Sequence, residues 1–103
     1  MMGVLTEAIT FDNDHDWSRE QEAVANWETH KSSGYQFKVY RRNPRCEDSW
    51  IYKIKLKTTP QPYRSNEWMG FSDKGRCGAV AACYAGIRQR LKSGALVYTL
   101  MPQ

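Results

Sequence analysis

The chain has 103 residues and a mass of 12.0 kDa, with 15 Lys and Arg against 11 Asp and Glu and a pI near 9.1. That length allows one domain with one modest core, and it leaves no room for a two-domain enzyme with an interdomain cleft. At 41% hydrophobic and 13% aromatic it is too apolar for a disordered chain, and without an apolar run of roughly eighteen residues it has no membrane-spanning helix.

Residues 3–11 read as a short strand or arm that ends at the polar run Asn13-Asp14-His15-Asp16. A helix is expected over 17–31. Ser18 and Gln21 form a capping-box pattern, Ala23, Val24 and Trp27 give an apolar stripe, and Gly34 suits the left-handed position after its end. Residues 35–41 alternate apolar and polar, the period of a half-buried strand, and Asn43 to Ser49 form a turn around Pro44. The clearest strand is 50–57. Trp50, Tyr52, Ile54 and Leu56 share one face, and Lys53, Lys55 and Lys57 share the other, so a one-residue slip would bury three lysines.

Pro60 and Pro62 open a loop of about eight residues, and residues 67–71 read as an edge strand. A second helix is expected near 76–92, with Cys77, Val80, Tyr84, Ile87 and Leu91 as its apolar stripe and Gly94 as its stop. Residues 95–101 complete the chain as a last strand. The fold class is therefore α+β. The expected architecture is a small single domain over 1–103 in the order β-α-β-β-β-α-β, with two helices on one face of a mainly antiparallel sheet.

Three cysteines, Cys46, Cys77 and Cys83, are an odd number without a C-x-x-C pair. They point to a reducing, cytoplasmic setting rather than a disulfide framework, with Cys77 or Cys83 acting as a small core residue. The start of the chain has no basic segment and contains Glu7, unlike a secretory signal. His15 and His30 have no second ligand at metal spacing. Asp12, Asp14 and Asp16 open like a calcium loop, but Trp17 stands where the turn needs glycine and Ala23 where it needs a bidentate glutamate. Neither histidine is patterned with a nucleophile, so no enzyme, metal or cofactor is expected.

Charge is unevenly spread. Residues 1–30 carry a balance of −6, with Arg19 their only Lys or Arg, and residues 31–103 carry +10. One consequence is an anionic partner for the basic part; the other is an acidic helix that neutralises a basic sheet within one fold. On the first reading Lys38, Lys53, Lys55 and Lys57 form a basic strand face, with Arg42 and Arg45 at the connecting turn, able to hold phosphates by counterion release. The run Ser72-Asp73-Lys74-Gly75-Arg76 offers backbone N–H groups to a phosphate at a helix start but lacks P-loop spacing.

The order helix, three strands, helix over residues 17–92 resembles the double-stranded-RNA-binding domain. Asn43-Pro44-Arg45-Cys46 occupies the family's Gly-Pro-x-His turn, Trp50 the aromatic that follows, and Gly70, Ser72, Lys74 and Val80-Ala81-Ala82 the run into its last helix. Cys46 replaces the histidine and Asp73 one lysine. The resemblance implies duplex-RNA binding through the helices and the turn, which makes Arg45, Lys74 and Arg76 the important cations. The charge map instead favours Lys53, Lys55 and Lys57. The functional expectation is a nucleic-acid-binding module, for RNA, that contacts backbone and shape. The rival is a small non-enzymatic protein-interaction factor docking on a larger protein, or a homodimer joined through the edge strand near 67–71.

Overall fold

A computed structural model describes residues 17–94 and 96–101; the strand expected over 3–11 lies outside them. The elements are α1 (Trp17–Val24), β1 (Glu28–His30), β2 (Tyr35–Arg41), β3 (Trp50–Leu56), β4 (Tyr63–Ser65), β5 (Trp68–Ser72), α2 (Gly75–Ser93) and β6 (Tyr98–Leu100). The α+β class holds. A four-stranded sheet runs β1-β2-β3-β5 with each neighbouring pair antiparallel, and β4 and β6 form a separate two-stranded sheet.

The helix expected over 17–31 ends at Val24. Glu28, Thr29 and His30 instead pair with Phe37, Gln36 and Tyr35 as the outer strand of the sheet. Gly34, at φ +77°, closes the tight turn between them, and the Ser33 hydroxyl accepts the Tyr35 N–H at 3.2 Å while lying 2.7 Å from His30 Nδ1. Thr29 and His30 are weak helix formers, and pairing satisfies backbone groups that a frayed last turn would leave open. β4 falls inside the stretch expected to be loop. Its partner is the last strand, and Asn66 ties the two together through Val97 O, Leu96 O and Thr99.

The alternation in β3 gives the expected faces. Ile54, at 1% exposure, joins Tyr35, Phe37 and Val39 of β2 and Ala79, Cys83 and Ile87 of α2 in the core, with Trp50, Tyr52, Leu56 and Trp68 packed around them. α2 meets the sheet through part of the expected stripe, Ile87 and Val80, together with Ala79 and Cys83. Ala79, Cys83 and Ile87 are buried, whereas Cys77 is exposed, Tyr84 is 38% exposed and Leu91 56%. Large rings on the sheet take up the interlayer space, so the helix presents its smaller residues. Gly86 lets it close further, since a Cβ there would come within 2.9 Å of Ile54 Cδ1. Gly70 plays the same part on β5: a side chain at that position would run into the Tyr52 ring.

The two helices do not share a face. α2 covers the core face, while α1 lies over the lysine face, where Glu22 reaches Lys53 and Lys38. α1 has no buried residue, and Val24 of its expected apolar stripe is 77% exposed. Charge, rather than apolar area, places this helix.

Burial also sorts the cysteines. Cys83 is fully buried, and loss of solvation, followed by the Glu28 charge, pushes its thiol up to about 12. Cys46 and Cys77 are exposed. A thiol reagent at neutral pH is expected to modify Cys46 and Cys77 in the native protein and Cys83 only after denaturation. Mass spectrometry of labelled peptides checks this, and native labelling of Cys83 would contradict the packing.

Candidate nucleic-acid interface

The lysines of the sheet come together as expected but are covered. Register places Lys38 opposite Lys53 and Gln36 opposite Lys55. Two ammonium groups directly across an antiparallel pair repel, and the Glu22 carboxylate resolves this by lying 2.8 Å from Lys53 Nζ and 3.8 Å from Lys38 Nζ. Lys38 is 9% exposed. Trp27, just beyond α1, adds its ring 4.8 Å from Lys38 Nζ and 4.2 Å from Lys55 Nζ, within cation–π range. The neutralising helix inferred from the charge asymmetry is therefore present in the fold.

The hydrogen bond from Lys53 is the chief influence that holds the Glu22 carboxyl below the usual glutamate range. Partial burial opposes it, and the charges of Lys53 and Lys38 add to it. A carboxyl with a lowered folded-state pKa stabilises the fold above its unfolded pKa and loses that contribution as pH falls through the folded value. Glu22→Gln is thus expected to cost about 1 kcal/mol or less at neutral pH, because the pair is partly solvated. The gap to the wild type should close as pH falls below the normal glutamate range. Urea unfolding of both proteins across that range measures it, and a gap independent of pH would mean that the carboxylate is not the operative group.

The remaining cations are distributed at two ends. Lys57 is exposed beyond β3, where it borders, with Lys55, Arg64, Tyr63 and Trp68, a hollow of about 790 Å³ beside the β4–β6 pair. The opposite end of the sheet holds the turn 43–49 and the start of α2. Asn43 shapes that turn: its side-chain oxygen accepts the Arg45 N–H at 2.8 Å and its carbonyl the Cys46 N–H at 2.9 Å. The Gly75 N–H then donates to Asp48 O at 2.9 Å and fastens the turn to the helix.

Arg45, Lys74 and Arg76 are all exposed around this junction. The Arg45 guanidinium stands 5.9 Å from the Trp17 ring, and Arg76 pairs with Glu28 at 3.2 Å with both side chains about half exposed. α2 follows Lys74, which makes no side-chain cap, and has no acid in its first turn; the Lys74 and Gly75 N–H groups are taken by Ser72 Oγ at 3.2 Å and Asp48 O at 2.9 Å. Glu47, Asp48 and Asp73 border the junction and moderate its charge. Arg42 lies at the same end, its guanidinium 5.6 Å from the exposed Phe71 ring.

Sequence reasoning missed the covering of the lysine face by Trp27, whose apolar spacing suggested helix packing. The sequence signal was the pairing of an acidic segment with a lysine strand. It also missed Phe71 and Met69, exposed at 62% and 59% on β5. Among the described residues no group of His, Cys, Asp and Glu is arranged to hold a metal, and no helix is long and apolar enough to cross a membrane. No protein-family model matches the chain, and no curated protein or solved structure is significantly similar to it.

Proposed function

We propose that the protein is an RNA-binding module that holds phosphate backbone at the junction of the 43–49 turn and the start of α2, with Arg45, Lys74 and Arg76 as its contacts. The observation that carries this reading is the Gly75–Asp48 hydrogen bond, which draws cations from two distant stretches of chain onto one exposed end beside an uncapped helix start. A phosphate there gains charge-assisted hydrogen bonds and the helix dipole together. The resemblance to the double-stranded-RNA-binding domain singles out the same cations, although five strands rather than three separate the helices here and the helices lie on opposite faces of the sheet. The sheet lysines have a different role on this reading: Lys38 and Lys53 are engaged by Glu22, which makes them supports of α1.

The direct test is a shift assay with duplex RNA, single-stranded RNA and DNA across a range of salt. Binding should weaken steeply as salt rises, since each neutralised phosphate releases counterions. No binding to any of them below about 100 μM at low salt would overturn the proposal.

A second reading, docking on a protein, is favoured by one observation. Among the described residues β5 is the outer strand of its sheet, and it exposes Met69 and Phe71 on one face. Pairing with β3 uses the backbone groups of Trp68, Gly70 and Ser72, so those of Met69 and Phe71 face outward. Such an edge accepts an added strand. A second copy fits it poorly, because antiparallel self-pairing about Gly70 sets Glu67 opposite Asp73 of the other chain. Sedimentation as a monomer at high concentration is the corresponding expectation, and a concentration-dependent dimer abolished by Phe71→Asp would favour the copy instead.

A further inference from the structure

Between α1 and the outer half of the sheet lies an open cleft of about 780 Å³, within the range of ligand sites. Its chemistry is sorted by depth. Ile51 and Tyr40, both 5% exposed, form the floor. Phe71 and Met69 of β5, large apolar side chains on the open face of the sheet, make one wall. Inside, Lys53 and Glu22 lie 2.8 Å apart as a neutral pair that offers both a donor and an acceptor. Arg42, exposed and stacked on Phe71, stands at the rim beside the 43–49 turn.

These parts match the parts of a nucleotide. A base has an apolar face and a polar edge, and it stacks on aromatic rings without regard to sequence. The carboxylate of Glu22 disfavours a phosphate deep in the cleft, while the Arg42 guanidinium, which forms no ion pair among those seen here, suits one at the rim. We infer that the cleft between α1 and β5 takes one unpaired nucleotide, its base against Phe71, its polar edge toward Glu22 and Lys53, and its phosphate on Arg42. This rests on the reading of the protein as an RNA-binding module and extends it. Because Arg42 immediately precedes the turn that carries Arg45, a strand held at the turn can pass an unpaired end into the cleft.

The test compares Phe71→Ala, Phe71→Trp and Arg42→Gln with the double variant Arg45→Glu/Lys74→Glu, all at exposed positions, with circular dichroism to confirm folding. The probes are a short single-stranded RNA, a blunt RNA duplex, and adenosine and uridine 5′-monophosphates, followed by fluorescence anisotropy or calorimetry. Phe71→Ala and Arg42→Gln are expected to weaken single-strand binding by about tenfold, with Phe71→Trp restoring it and the blunt duplex unaffected. Phe71-dependent binding of the monophosphates as tight as that of the strand would identify a free nucleotide as the source of the ligand.

Single-strand binding indifferent to Phe71, alongside duplex binding that needs Arg45 and Lys74, would overturn the cleft and leave the RNA-binding proposal standing. Should neither RNA bind, that proposal falls. The monophosphates then decide the cleft alone: binding that Phe71→Ala abolishes upholds it, and no binding overturns it.

Discussion

Replacing Ile54 by alanine is expected to cost about 3–4 kcal/mol of folding stability, the largest effect of any single truncation on the core face of β3. Ile54 is 1% exposed and stands where the two layers meet, between Phe37 on the sheet and Cys83 and Ile87 on the helix. Its Cδ1 lies so close to Gly86 that the helix rests on it without an intervening side chain. Alanine therefore removes apolar contacts and leaves a void that a stiff sheet and a closely seated helix cannot collapse into. For a domain of this size that is a large share of a total stability of about 5–15 kcal/mol. Urea unfolding by fluorescence and circular dichroism measures it. Leu56→Ala, at a half-buried position on the same face, should cost clearly less, and equal costs would contradict the packing.

The second large effect concerns binding. Arg45→Glu/Lys74→Glu is expected to lower affinity for RNA by about a hundredfold at moderate salt and to reduce the slope of log affinity against log salt by about two. The reason is electrostatic: on the proposed reading, each reversal removes a phosphate contact and substitutes repulsion. Both residues are exposed and remote from the core, so stability should change little. Lys53→Glu should behave in the opposite manner. It turns a carboxylate toward Glu22, where an ammonium now lies 2.8 Å from that residue, so it should destabilise the fold, with any loss of binding following from that. Unfolding curves and salt titrations on the same samples separate the two cases. RNA binding that survives Arg45→Glu/Lys74→Glu but vanishes in a fully folded Lys53→Glu protein would move the interface to the sheet.

Much of the fold was legible because strand periodicity is a strong signal when one face is packed. The alternation over 35–41 and 50–57 correctly sorted Ile54 from its lysine neighbours. α2 was legible in extent and only partly in orientation, since Ile87 and Val80 of the expected stripe face the core while Cys77 and Leu91 do not. Alanine occurs on several sides of it, so hydrophobicity alone does not choose a face, and the fit of Ala79, Cys83 and Ile87 against large rings does. α1 misled for a related reason. The spacing of Ala23, Val24 and Trp27 is that of an amphipathic helix, but three residues of that segment gain more from pairing with β2, and Trp27 is spent on lysines rather than on the core.

For the candidate interface, the residue types were visible and their grouping was not. Composition and spacing singled out Lys38, Arg42, Arg45, Lys53, Lys55, Lys57, Lys74 and Arg76. Their division into a covered set under α1 and Trp27, an exposed set at the end that holds Gly75, and Lys57 at the other end depends on contacts between residues far apart in the chain, such as Glu22 with Lys53 and Asp48 with Gly75.

By itself the sequence determined the α+β class, the two faces of β3 and the excess of positive charge after residue 30. Each follows from local periodicity or from counting, which need no knowledge of what lies nearby in space. Only the tertiary structure decided which side of the sheet each helix covers and hence which cations remain at the surface. One acidic side chain illustrates that choice. Two lysines facing each other across a ladder repel, and the helix over them brings the Glu22 carboxylate within 2.8 Å of one and 3.8 Å of the other, offsetting that repulsion.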